Sequence, residues 1–144
     1  MKVAVTAHGP GLDAQFVPVF GRCPAFVLID TETSTSEVLE NGAATAAGGA
    51  GIQAAQMVID RGAKAVITGN VGPNAFQVLS AAGVPVYVFG GGTVRQAVQA
   101  FSEGRLQAVA MATAPAHAGM GYGRGRGAGP GGGGGRGGGW GRNR

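Results

Sequence analysis

Three side chains in the first quarter of the chain could hold a metal or an anion: His8 in "AHGPGLD", and Arg22 and Cys23 in "FGRCP". Thiolate and imidazole are ligands for soft metals and iron–sulfur clusters, and a guanidinium grips an anion through two parallel N–H donors. No C-x-x-C and no closely spaced Cys/His set occurs, so a closed structural metal site is not expected. Cys23 and His8 are then weak candidate ligands for a guest that is held and released. Each also has an ordinary reading: a lone cysteine is a small core residue, a histidine before Gly-Pro is a turn residue, and Arg22 could pair with Asp13. Met57 reads as core, while Met111 and Met120 are weak soft ligands and His117 lies near the end of the body.

A second set of candidates is backbone. Gly21 in "FGR", Gly49 and Gly51 in "GGAGIQ", Gly69, Asn70, Gly72 and Asn74 in "TGNVGPN", and Gly91, Gly92 and Thr93 in "FGGGT" precede strands or helices. Helix N-termini present N–H donors and the positive end of the helix dipole, and glycine lets a guest approach them. Phosphate, carboxylate or an anionic metal–sulfur cluster would suit such loops. Taken singly, each glycine also fits a tight turn; only their placement on one edge would point to a guest. Neither a G-x-x-x-x-G-K-[ST] loop nor a G-x-G-x-x-G fingerprint is present, which demotes nucleotides.

The elements that must position these residues alternate. "KVAVT" (2–6) and "AFVLIDTET" (25–33) read as strands, with "SEVLEN" (36–41) as a third, joined to the second by a hairpin at residues 33–36. A helix is expected over about 51–61, with Ile52, Ala55, Val58 and Ile59 inward and Gly62 as its stop. A fourth strand (63–69) precedes a helix that starts at Pro73, buries Phe76, Leu79 and Ala82, and stops at Gly83. A fifth strand (84–90) precedes a helix capped by Thr93 and Gln96, with Val94, Ala97, Val98 and Phe101 inward. Residues 105–112 could add an edge strand. The order βββαβαβα implies an α/β three-layer sandwich, with strands one, four and five parallel and the glycine loops converging at one sheet edge.

Charge divides the chain. Through Ala118 there are six basic and seven acidic residues, a net of −1; from Gly119 on there are five arginines and no acid, +5. Residues 119–144, "GMGYGRGRGAGPGGGGGRGGGWGRNR", hold too few large apolar groups to offset ordering entropy, so they read as a disordered Gly/Arg-rich tail behind one domain at 1–118. One cysteine excludes an internal disulfide, no segment approaches the roughly 20 apolar residues of a membrane span, and the N-terminus lacks a signal-like apolar run. A soluble cytoplasmic protein without a membrane partner is expected.

Together, "FGRCPAFVLID", "ENGAATAAGGAGIQAAQMVIDRGAKAVITGNVGPNAFQVLSAAGVPVYV" and "GGTVRQAVQAFSEGRL" closely resemble the dinitrogenase iron-molybdenum cofactor biosynthesis family, the NifX/NafY and NifB C-terminal domain group. The resemblance covers about residues 1–108. It implies an RNase H-like fold with a five-stranded mixed sheet in the order 3-2-1-4-5, strand two antiparallel and helices on both faces, an order the residues alone leave open. It also implies binding of iron–sulfur or iron–molybdenum clusters. The expected role is non-catalytic: carriage or chaperoning of a cluster or its precursor, with assembly or acceptor proteins as partners. A nuclease would need clustered carboxylates at the sheet edge, and "KVAVT" supplies none; a Ser/His/Asp triad is equally unsupported. The alternative is an RNA, other polyanion or partner protein bound through the Arg-Gly tail.

Overall fold

The computed structural model describes residues 1–44, 49–110 and 112. The boundary expected at residue 118, the tail, His117, Met111 and Met120 lie outside them. The elements are β1 (Lys2–Ala7), β2 (Ala25–Asp30), β3 (Thr35–Glu40), α1 (Ala50–Asp60), β4 (Ala65–Thr68), α2 (Pro73–Ala81), β5 (Val86–Val88) and α3 (Val94–Ser102).

The strands form one mixed sheet in the order β3-β2-β1-β4-β5. β2 is antiparallel to both β1 and β3, whereas β4 is parallel to β1 and β5. β1 and β4 are buried on both faces, which is why they read as continuous apolar runs rather than alternating ones. Side chains alternate between the two faces along each strand. Ala4, Phe26, Leu28, Leu39 and Val66 pack with Ala54, Val58 and Leu79 of α1 and α2. Val3, Val5, Val27, Ile29 and Ile67 form the opposite layer with Val94 and Ala97 of α3. Helices therefore cover both faces, as expected.

The β2–β3 hairpin is set locally: the Asp30 carboxylate accepts the Glu32 amide at 2.9 Å and the Thr33 amide at 3.4 Å. Those bonds hold its pKa below the ordinary carboxylate value. All three helices stop before a glycine of positive φ, Gly62, Gly83 and Gly104, a conformation that spares glycine the Cβ clash other residues meet.

Three expectations need correction. Residues 105–110 do not form a strand: among the described residues they make a single bridge, Tyr87 to Ala108, with the Val109 amide donating to the Val86 carbonyl at 2.9 Å. In α2 the buried positions are Ala75 and Leu79, and Ala82 is exposed. The reason lies at Gly51, where an added Cβ would stand 3.2 Å from the Ala75 Cβ, so α2 meets α1 through its small residue. In α1 the inward stripe shifts to Ala50, Ala54, Ala55 and Val58, leaving Ile52 exposed. Among the described residues no helix is long and apolar enough to cross a membrane.

Candidate functional site

Because β1, β4 and β5 are parallel, the segments that follow them leave the same sheet edge. β2 runs the other way, so its start, and the end of β3 paired with it (Ala25 opposite Glu40), lie there too. Residues 8–24, 41–44, 49, 69–72 and 89–93 are thereby gathered at one edge.

Residues 8–24 form a strap across that edge rather than a plain turn. The Val17 amide donates to Thr6, the Phe16 amide to Gly92 and the Phe20 amide to Asn70, at 3.0, 2.9 and 3.1 Å. From below, the Thr6 hydroxyl donates to the Val17 carbonyl and lies 3.1 Å from the Thr68 hydroxyl; both threonines are buried. Pro18 presses onto Gly69 so closely that a Cβ there would meet the Pro18 Cβ at 2.6 Å and its carbonyl oxygen at 2.8 Å. Phe16 stands edge-on to Phe89, and Phe20 packs against Phe26. The sequence pattern reads these positions only as loop; the two aromatics spaced four apart in "FVPVF" are the signal that the segment carries its own core contacts.

The strap divides the edge into a closed half and an open half. At α3 every early donor is taken: Val94 donates to Ala14 at 3.0 Å, Arg95 to Leu12 at 2.7 Å and Gln96 to the Thr93 hydroxyl at 3.2 Å. The Thr93 amide itself donates to the Gln96 side chain at 2.9 Å, completing a capping box. Gly91, Gly92 and Thr93, expected to offer amides to a guest, therefore front a helix whose donors are already occupied. The capping spacing was legible; the strap carbonyls that finish the job were not.

At α1 and α2 the situation is reversed. Their N-cap residues are Gly49 and Gly72, neither with a side-chain cap, and Pro73 carries no N–H. The first helical bonds run from Gln53 to Gly49 and from Phe76 to Gly72. The amides of Ala50, Gly51, Ile52, Asn74 and Ala75 have no partner among the described residues, so two positive helix ends lie side by side, with Ile52 and Asn74 exposed, Gly51 half-buried, and Ala50 and Ala75 buried. Asn70 and Asn74 are exposed on the same side.

Gly21 brings the "FGR" turn onto this half. Its φ is +97°, and a Cβ there would meet the Gly51 Cα at 3.0 Å and nitrogen at 3.2 Å, so only glycine lets the two backbones touch. The adjacent Arg22 is exposed, and its Nη1 donates to the Ala44 carbonyl at 3.0 Å. Asp13, weighed as its partner, instead pairs with Arg95 at 3.1 Å. A residue that the sequence pattern does not single out also joins here: Asn41, read only as the last residue of the third strand, is buried with its carboxamide bonded to the Gly21 and Cys23 carbonyls.

The two candidate metal ligands are not brought into a ligand set. Cys23 is fully buried, and burial pushes its thiol up to about 11, outweighing hydrogen bonds from the Gly21 backbone and the Asn41 side chain. It is a protonated core residue, not a thiolate at the rim. His8 is exposed at the start of the strap. Among the described residues no group of three His, Cys, Asp or Glu side chains could hold a metal ion. What the open half does offer, amides and a guanidinium, matches an anion rather than a bare cation.

The comparisons with known proteins agree with this domain. A family model for the dinitrogenase iron-molybdenum cofactor matches residues 1–104, spanning β1 through α3. The chain belongs to that family. Among solved structures, the apo form of the orange protein from Desulfovibrio gigas is 48% identical, with a TM-score of 0.76 over 78% of this chain and 95% of that one. A NifB-like protein of the DUF35 family from Thermotoga, solved by NMR, is 43% identical, with a TM-score of 0.70 over 78% and 96%. An uncharacterized protein of Methanocaldococcus jannaschii is 31% identical over 110 residues, covering 74% of this chain and 90% of that protein. Membership of this family fits a role in iron–molybdenum cofactor biosynthesis or binding.

Proposed function

We propose that the protein binds an anionic iron–sulfur or iron–molybdenum cluster, or a precursor of one, reversibly at the open half of the sheet edge, and acts as its carrier or chaperone rather than as an enzyme. The observation that carries this reading is the pair of side-chain-uncapped helix ends, α1 and α2, adjoining the Gly21–Arg22 turn. Each helix end contributes about half a positive charge, and Arg22 adds a full one, so together they can offset about two negative charges on a guest. Gly21, Gly49, Gly51, Gly69, Gly72, Asn70 and Asn74 line or shape this half, while Gly91, Gly92 and Thr93 belong to the closed one.

Cluster sulfides are anionic acceptors, and amide N–H groups together with a guanidinium supply matching donors without a covalent ligand. Such a hold is reversible, which suits cargo destined for another protein. The buried thiol of Cys23 fits this picture, because a permanent Fe–S bond is not required of it. Assembly or acceptor proteins are the partners this role implies.

The test is anoxic incubation with cluster, followed by gel filtration and visible absorption. A chain ending at Ala118 should retain the chromophore, and Arg22→Gln should lose most of it. The tail reading, RNA or another polyanion bound by the five arginines beyond Gly119, predicts the converse: RNA retained by the full chain alone and no chromophore on either form.

A further inference from the structure

Asn41 is one of three buried polar residues among those described. The other two, Thr6 and Thr68, serve the strap. Asn41 lies at the end of β3, yet its bonds point at the turn before β2. Both protons of its Nδ2 are used, on the Gly21 carbonyl at 3.0 Å and the Cys23 carbonyl at 2.8 Å. Its Oδ1 accepts the Ala43 amide at 3.0 Å, and its own amide donates to the Pro24 carbonyl at 3.0 Å. One side chain thus clamps residues 21–23 to residues 41–43, and Arg22 spans the same gap by donating to Ala44.

Resting on the reading of the open half given above, we propose that Asn41 is the positioning residue of the cargo site, fixing the Gly21–Cys23 turn so that Arg22 stands beside the α1 and α2 helix ends. Two physical effects follow from the one carboxamide. It holds Gly21 in its positive-φ conformation against the Gly51 backbone, where the approach leaves no room for a Cβ. It also occupies two carbonyl oxygens, the negative ends of peptide dipoles, that would otherwise oppose an anion in the same turn. An alanine at position 41 would leave both carbonyls buried without that donor and release the turn. The strap's bonds at residues 12–20 and the β1–β4 register do not run through it, because neither Thr6, Thr68 nor the β1–β4 pairs touch Asn41.

The experiment is a double-mutant cycle on the full chain under anoxic conditions, with a thiolate-capped 4Fe–4S cluster dianion as the probe and its dissociation constant as the readout. Asn41→Ala and Arg22→Gln should each weaken binding about tenfold, and the double variant no more than the weaker single, since both act through the placement of one guanidinium. Asn41→Ser, which keeps one donor, should fall between wild type and Asn41→Ala. Amide exchange in β1 and β4 should match wild type in all of them. Wild-type affinity in Asn41→Ala, or losses that multiply to about a hundredfold in the double variant, would overturn the positioning role alone. Loss of the fold in both Asn41→Ala and Asn41→Ser would make Asn41 a general stability residue and overturn it as well. Absence of binding by the wild-type chain would instead overturn the reading of the site, and this proposal with it.

Discussion

The N-terminus of α3 and those of α1 and α2 arise from the same kind of sequence, a glycine-rich loop at one sheet edge, yet they end in opposite states. α3 has a capping box and two strap carbonyls on its first amides. α1 and α2 begin at glycines with no side-chain cap, and their first amides find no partner among the described residues. A glycine N-cap forgoes the side-chain acceptor, and roughly a few tenths of a kcal/mol, that a Ser, Thr, Asn or Asp cap would supply. Two adjacent helices that both forgo it, beside one that does not, are the difference on which the proposed binding at the open half rests.

The largest expected effect comes from dislodging what separates the two halves. Gly69→Ala would drive a methyl into the Pro18 backbone and ring, so it should cost about 3 kcal/mol in urea unfolding, the upper end for overpacking. The same variant should speed hydrogen exchange at Val94 and Arg95, because their acceptors ride on the strap. Unaltered exchange there would show that the closed half is closed by something other than the strap.

Next is pH, which sharpens what the open half is made of. The Cys23 thiol is raised from its ordinary value of 9.0 to about 11, so the fold prefers the protonated form. The associated stability is present in full below pH 9 and is lost as pH rises through 11, about 2–3 kcal/mol in all. Cys23→Ala should flatten that alkaline slope. A slope already flat in the wild type would mean that the thiol is accessible and available as a ligand after all.

Two smaller effects form a crossed pair. Arg22→Gln should weaken cluster binding about tenfold and leave stability within about 0.5 kcal/mol, since a surface substitution removes a charge from the open half without disturbing the core. Thr93→Ala should do the reverse, costing about 1 kcal/mol of stability through the lost cap with cluster affinity unchanged. If Thr93→Ala improved binding instead, the two halves would not be separate sites.

Much of this fold was legible because its signals are local. β1, β2 and β4 are apolar runs broken by glycine or proline, Gly62, Gly83 and Gly104 stop the helices, and the Thr93–Gln96 spacing announces a capping box. Convergence of the glycine loops followed from strand direction alone. The rest depends on contacts between distant residues. Nothing local in "GLDAQFVPVF" says that Leu12 and Ala14 will cap α3, which begins at Val94, or that Pro18 will lie on Gly69. The burial of Cys23 and the clamp from Asn41 emerge only once β3 is paired with β2, which places position 41 against the 21–23 turn. Helix faces were misjudged where small residues won: Ala75 joins Leu79 and the partly buried Phe76 on the inward face of α2 in place of Ala82, because α1 and α2 touch at Gly51.

The most direct test of the account is amide NMR of the labelled full chain titrated anoxically with cluster. Perturbed or broadened signals from Ala50, Gly51, Ile52, Asn74 and Ala75, with Val94, Arg95 and Gln96 unmoved, are the predicted result. Perturbation centred on Val94 to Gln96, with the α1 and α2 amides unmoved, would contradict it.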